Sequence, residues 1–247
     1  METLEGKVAV VTGAAGTMGE AVTRGYLEDG LTVFMADLDE ARLGALSDEL
    51  GAGCRALPVD ISDSGAVDAA IASVEKEFGA VDILVNNAGI LSNERIATTS
   101  LDEWNKILGV NLTGAFLMTK RVLPKMRERG WGRIVNTSSY SARSGGVSSG
   151  ISYTVSKGGM VALTRAVAID TVKDGITCNA IAPAWVKTPM VTVQLTPEQQ
   201  AEVLKKIPVG RFCEPEEFAH TVRFLTSPLA GFITGEVVDM NGGARFG

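Results

Sequence analysis

The 247-residue chain has one histidine, His220, and three cysteines, Cys54, Cys178 and Cys213. One histidine cannot build a multi-histidine metal centre, and the cysteines lie far apart with no C-x-x-C pair, so no metal site is expected. A Ser-His-Asp hydrolase would have to take its base from His220 alone. Scattered cysteines suit a reducing compartment. Basic charge is scarce as well: 23 Lys and Arg against 29 Asp and Glu leave a net charge of −6, with no basic run, so no nucleic-acid partner is expected. No apolar stretch reaches the roughly 18 residues of a membrane span, and the apolar run after the polar Met1–Lys7 segment is too short for a signal sequence. The expectation is a cytoplasmic protein with no membrane partner. Aromatic residues make up 6% and include three tyrosines, Tyr26, Tyr140 and Tyr153. Proton transfer would fall to tyrosine, lysine or carboxylates.

What is present is an alternation of β-branched runs with helical stretches. Lys7–Thr12, Leu31–Ala36, Cys54–Val59 and Val81–Asn86 read as buried strands, with helices predicted between them at Glu20–Asp29, Glu40–Leu50 and Ser64–Phe78. The S-x-x-E run from Ser100 to Glu103 predicts a capped helix start, and Thr196–Gln199 predicts another with Pro197 in its first turn. Val110–Glu128 and Ser152–Val172 read as helices, Pro215 as a helix start, and Arg133–Thr137, Ile176–Ala182 and Glu236–Met240 as strands. This order predicts one α/β domain over residues 1–247: a doubly wound parallel sheet of about seven strands with helices on both faces. The longest connection, 184–209, is the candidate substrate lid.

The first strand runs into Thr12-Gly13-Ala14-Ala15-Gly16-Thr17-Met18-Gly19. Glycines in a strand-turn-helix let the backbone approach a pyrophosphate, whose charge then meets a helix N-terminus. Asp37 ends the second strand, where a carboxylate can accept hydrogen bonds from an adenosine ribose. Together these features predict a Rossmann-type dinucleotide site involving Gly13, Gly16, Thr17, Met18, Gly19 and Asp37.

Further motifs follow in order: Asn86-Asn87-Ala88-Gly89, Val110-Asn111-Leu112, Asn136-Thr137-Ser138-Ser139, and Tyr153 with Lys157 in Y-x-x-x-K. With Thr12, Gly13 and Gly19 as the glycine turn, the chain resembles the short-chain dehydrogenase/reductase family over nearly its full length. The resemblance implies catalytic roles for Asn111, Ser139, Tyr153 and Lys157. It implies cofactor contacts at Asp60 and Ile61 (adenine), at Asn87, Ala88 and Gly89, at Lys157 (nicotinamide ribose) beside Tyr153, and at Pro183, Val186 and Thr188 (carboxamide side). It also implies a homo-oligomer, tetramer or dimer, packed through helices near Phe116, Val161 and Leu163. Three departures stand out. Thr17 replaces the turn's middle glycine, so the loop shifts or the hydroxyl bonds a phosphate oxygen. Ala184 replaces the glycine after Pro183. The Ser139–Tyr153 stretch is one residue longer than the family spacing, which leaves Ser138 and Tyr140 as competitors for the serine's role.

Free tyrosine ionises near pH 10. Lys157 lies at i+4 from Tyr153 on one helix face, where its ammonium is expected to lower the phenol's pKa. Asp37 favours NAD, since a carboxylate bonds a ribose 2′-OH and repels the 2′-phosphate of NADP. The expected activity is interconversion of a secondary alcohol (a polyol, sugar or hydroxy acid) and its carbonyl. One alternative is a 3-oxoacyl thioester reductase, against which Asp37 counts because many of these use NADPH. A non-catalytic NAD-binding regulator and a dehalogenase-like relative are the others, and the intact Tyr153–Lys157 pair opposes both.

Overall fold

The computed structural model describes residues 3–147, 149–193 and 195–246. The first half alternates strictly: β1 (Val8–Thr12), α1 (Thr17–Glu28), β2 (Thr32–Asp37), α2 (Glu40–Leu50), β3 (Cys54–Pro58), α3 (Ser64–Phe78) and β4 (Ile83–Asn86). The second half contains α4 (Leu101–Leu108), a π turn at Gly109–Thr113, α5 (Gly114–Arg129), β5 (Gly132–Thr137), the short α6 (Ser141–Ser144) and α7 (Ile151–Thr171). After these come β6 (Ile176–Pro183), the short α8 (Pro189–Thr192), α9 (Pro197–Leu204), α10 (Pro215–Thr226) and β7 (Val237–Met240). Among the described residues, seven strands form one parallel sheet in the order β3-β2-β1-β4-β5-β6-β7. The order reverses between β1 and β4, and ligands of such sheets bind beyond the strands' carboxyl ends at that point.

The central strands β1, β4, β5 and β6 are buried along their whole length because both sheet faces are covered, while the edge strands β3 and β7 are partly exposed. Along β1, Ala9 and Val11 face a core built with Val22 and Tyr26 of α1, Leu43 and Leu46 of α2, and Phe218 and Val222 of α10. Val8 and Val10 face the opposite core, with Val67 and Ile71 of α3 and Met118 and Val122 of α5. Each fully buried side chain of this size contributes roughly 1.5–3 kcal/mol. Tyr26 lies inside the first core, its hydroxyl 3.1 Å from Thr226 Oγ1, and burial pushes its pKa up. It is a structural phenol joining α1 to α10.

Caps follow the sequence with one exception. Thr196 and Gln199 form the full reciprocal box. Ser100 Oγ accepts from Glu103 N at 3.1 Å, but the Glu103 carboxylate takes the Ser92 hydroxyl instead of closing a box. The helix predicted from Glu20 starts at Thr17, so the last glycine of the turn is already helical.

The amino-terminal edge of the sheet is sealed by Asp82, which is 4% exposed. Its carboxylate accepts from Val8 N at 2.9 Å and Arg129 Nη1 at 3.0 Å, and Lys7 Nζ lies 3.9 Å away. Lys7 also sits 4.0 Å above the Trp131 ring. Asp82→Ala leaves the buried Val8 N–H without its acceptor and frees a half-exposed Arg129, and should destabilise the fold by about 2 kcal/mol. A lowered urea midpoint with unchanged activity per folded molecule is expected, because the site lies at the opposite edge.

Candidate active site

At the carboxyl edge the glycine turn is constrained by contact. Gly13 has φ 66°, and a Cβ there would stand 2.8 Å from Ala88 Cα. A Cβ on Gly19 would fall 2.3 Å from Gly13 O. Gly16 is less constrained: its Cβ would be 3.4 Å from Gly13 O. It precedes Thr17 as the helix cap. Among the described residues, only glycines have positive φ, so Thr17 sits in ordinary backbone and strains nothing. The first-turn N–H groups of Thr17, Met18 and Gly19 belong to the set a helix leaves without internal partners, the donors that suit a pyrophosphate.

Asp37 is locked beside this turn. Its Oδ2 accepts from Ala15 N at 3.1 Å, and its Oδ1 accepts from Leu38 N at 2.8 Å and Asp39 N at 3.2 Å. Arg42 gives its guanidinium to Glu20 at 2.7 Å. Across the turn, Asn87 Nδ2 donates to Thr12 O at 3.1 Å and Gly13 O at 3.3 Å, while Thr12 Oγ1 accepts from the N–H groups of Asn87 and Ala88, both at 3.0 Å. Asp60 turns its carboxylate onto Ser62, accepting from its N at 2.9 Å and its Oγ at 2.6 Å. Ile61 is buried against Gly114, where a Cβ would come within 2.7 Å of Ile61 Cδ1. Both residues lie just past the end of β3. On the other side, Ala184 N donates to Met240 O at 2.9 Å, Val186 pairs with Cys213, and Thr188 N donates to Val186 O at 2.8 Å.

The four predicted catalytic residues come from β5, α7 and the π turn. Ser139 stands at the end of β5, and its Oγ accepts from Ser141 N at 3.1 Å. Ser138 is turned the other way, donating to Lys157 O at 2.8 Å, and the Tyr140 ring packs on Trp185 at 5.5 Å. Of the three neighbours, Ser139 carries the hydroxyl that reaches Tyr153. Burial raises the Tyr153 pKa, and the Ser139 hydrogen bond offsets part of that rise. This reverses the sequence expectation of a lowered phenol, because desolvation is the largest influence on it. Lys157 Nζ lies 5.8 Å from the Tyr153 ring centroid and donates to Thr137 O at 2.7 Å. Its own charge is disfavoured, and burial lowers its pKa from 10.5 to about 8.

Asn111 is fully buried in the π turn. Its Oδ1 accepts from Ile90 N at 2.8 Å, and its Nδ2 donates to Ile90 O at 3.0 Å and Ser156 Oγ at 3.1 Å. A Cβ on Gly89 would stand 3.2 Å from Lys157 Nζ and 3.4 Å from Asn111 Oδ1, so both polar atoms border the space this glycine leaves. His220 is exposed on α10, away from these groups. Sequence reading missed Ser156, whose Oγ also donates to Tyr153 O at 2.7 Å; its position inside Y-x-x-x-K was the available signal.

A family model described as enoyl-(acyl carrier protein) reductase matches residues 13–245. The chain belongs to the short-chain dehydrogenase/reductase family. It is a nicotinamide-dependent oxidoreductase acting on a keto or hydroxy group. The 3-oxoacyl-[acyl-carrier-protein] reductase FabG of Vibrio harveyi is 38% identical over 240 residues, covering 97% of this chain and 98% of that one. Nodulation protein G of Azospirillum brasilense is 35% identical over 244 residues, with the same coverage. The crystal structure of 3-ketoacyl-(acyl-carrier-protein) reductase from Brucella melitensis complexed with NADH superposes with TM-score 0.92 at 34% identity, covering 99% of this chain and all of that one. The glycine cradle that a Cβ would fill, with Asp37 beside it, fits a dinucleotide.

The buried Lys157 gives a signed pH effect. Its folded pKa, about 8, lies below its ordinary 10.5. The unfolded chain therefore binds more protons between those values, and stability rises with pH across that window. Below it the buried ammonium costs of order 3 kcal/mol. Lys157→Met should raise the thermal midpoint of the cofactor-free enzyme at pH 7, with the gain shrinking as pH passes 8 toward 10.5. A gain independent of pH would contradict the assignment.

Proposed function

We propose that this enzyme is an NADH-dependent 3-oxoacyl thioester reductase, with Ser139, Tyr153, Lys157 and Asn111 as its catalytic set. The observation that carries this reading is the Ser139–Tyr153 pair beside the glycine cradle, in a chain whose full-length relatives include several named 3-oxoacyl reductases. Asp37 counted against the reading from sequence. A 34% identical 3-ketoacyl reductase is complexed with NADH, which supports an NADH-using reductase of this kind. The broader reading, a dehydrogenase of other secondary alcohols, is favoured by no separate contact.

NADH, when bound, supplies the hydride. Tyr153 gives a proton to the substrate's keto oxygen, and its raised pKa keeps it protonated at neutral pH, as an acid for reduction must be. Ser139 Oγ donates a hydrogen bond to the same oxygen as charge develops there. Lys157 steadies the phenolate that remains and holds the nicotinamide ribose. Asn111 Oδ1, facing the space beside Gly89, orders water that returns a proton through Lys157. Gly13, Gly16, Thr17, Met18 and Gly19 take the pyrophosphate, Asp37 the adenosine ribose, Asp60 and Ile61 the adenine edge, and Asn87, Ala88 and Gly89 the inner ribose. Pro183, Val186 and Thr188 border the carboxamide, and residues 184–209 act as the lid.

NAD is preferred over NADP because Asp37 would repel a 2′-phosphate and Arg42 is committed to Glu20. A homo-oligomer is also expected, with exposed Phe116 on α5 at the interface.

With acetoacetyl-CoA and NADH, steady loss of NADH absorbance is expected. Tyr153→Phe should reduce that rate by about a thousandfold while NADH binding persists. No reduction by wild type, or near-normal reduction by the variant, would contradict the reading. Asp37→Ala should shift the ratio of kcat/KM for NADH over NADPH downward by about tenfold or more; an unchanged ratio would remove Asp37 from cofactor choice.

A further inference from the structure

The two connections that flank the site, one after β4 and one between β5 and α7, are stapled together. Gly150 N donates to Ser92 O at 2.7 Å and Ile151 N to Glu94 O at 3.0 Å. The first N–H groups of a helix have no partners inside it. At α7, which carries Tyr153 and Lys157, Ile151 N takes a main-chain carbonyl of the other connection. The fit is tight: a Cβ on Gly150 would stand 2.6 Å from Glu94 O and 2.7 Å from Ser92 O.

Arg95 closes the staple. Its Nη1 donates to Gly146 O and to Ser149 O, both at 3.1 Å, one N–H for each carbonyl. From Ser149 a set of hydroxyls leads inward. Ser149 Oγ donates to Ser141 Oγ at 2.8 Å and lies 3.2 Å from Thr154 Oγ1. Ser141 N in turn donates to Ser139 Oγ at 3.1 Å, and Thr154 directly follows Tyr153. The clamped stretch is also the one that is a residue longer than the family spacing. It contains two consecutive left-handed glycines, Gly145 at φ 72° and Gly146 at φ 77°. Glycine-rich backbone has the most conformational freedom to lose, so an external clamp has the largest effect there.

We infer that Arg95 is a positioning residue for the reaction: by holding Gly146 and Ser149 against the connection after β4, it sets the Ser139 hydroxyl and the first turn of α7 that presents Tyr153. It takes Ser139 and Tyr153 as the reacting groups, as proposed above. Arg95 touches neither of them and acts through Ser149 and Ser141.

The test compares wild type, Arg95→Ala and Arg95→Lys in the full chain with saturating NADH, on acetoacetyl-CoA and on ethyl acetoacetate. Arg95→Ala should lower kcat about tenfold on both substrates, with NADH affinity unchanged. Free guanidinium at millimolar concentration should restore part of the loss, and Arg95→Lys should keep most of the activity. Subtilisin should cut near Gly146 faster in Arg95→Ala than in wild type, a readout that needs no turnover. Unchanged kcat in Arg95→Ala would overturn the inference. So would a KM rise confined to the CoA thioester, which would make Arg95 a contact for the substrate's phosphates. Wild type that reduces the keto ester and no thioester would contradict the substrate reading alone, and the Arg95 comparison would stand on the keto ester.

Discussion

The structure around the site depends on one buried charge. Lys157 is 3% exposed, and its ammonium donates to Thr137 O at 2.7 Å. A cation in that position is unfavourable by itself, as its depressed pKa shows. The surroundings fix it in place. Ser138 ties the Lys157 carbonyl to the end of β5, Gly89 leaves room for the ammonium, and Asn111 is aimed at the same space by Ile90 and Ser156. Stability given up at Lys157 must be supplied by the two apolar cores flanking the sheet. That division is common where a reactive group has to be preorganised.

The sheet serves its two edges differently. At the amino edge, Asp82 gathers Val8 N, Arg129 and Lys7 into a closed network. Deeper in the sheet, Asn86 Nδ2 donates to Asn136 Oδ1 at 2.8 Å and Thr119 Oγ1 at 3.1 Å, and Asn136 Nδ2 donates to Thr164 Oγ1 at 2.9 Å. These bonds lock β4 and β5 to α5 and α7, and α7 carries Tyr153 and Lys157. The carboxyl edge keeps its backbone donors and its glycine-lined space for a cofactor.

Much of this was legible in the residues. Apolar runs alternating with helical stretches gave the strand order's raw material, and spacing singled out Tyr153 from three tyrosines because Lys157 stands one turn on. What sequence could not show was desolvation and distant pairing. The cation beside Tyr153 suggested a lowered phenol, but burial raises it. Val110–Glu128 read as regular helix, while the structure places a π turn at Gly109–Thr113, where Asn111 bonds Ile90, a partner 21 residues away. Arg95 carried no local signal at all, since its partners lie 51 and 54 residues along the chain.

The most direct measurement is an NMR titration of the Lys157 side chain in the cofactor-free enzyme, with Lys157→Met used to assign the resonance. A midpoint near pH 8 is expected from burial of the ammonium. A midpoint at the ordinary 10.5 would contradict the central claim, because it would mean that the cation beside Tyr153 is solvated and costs the fold nothing.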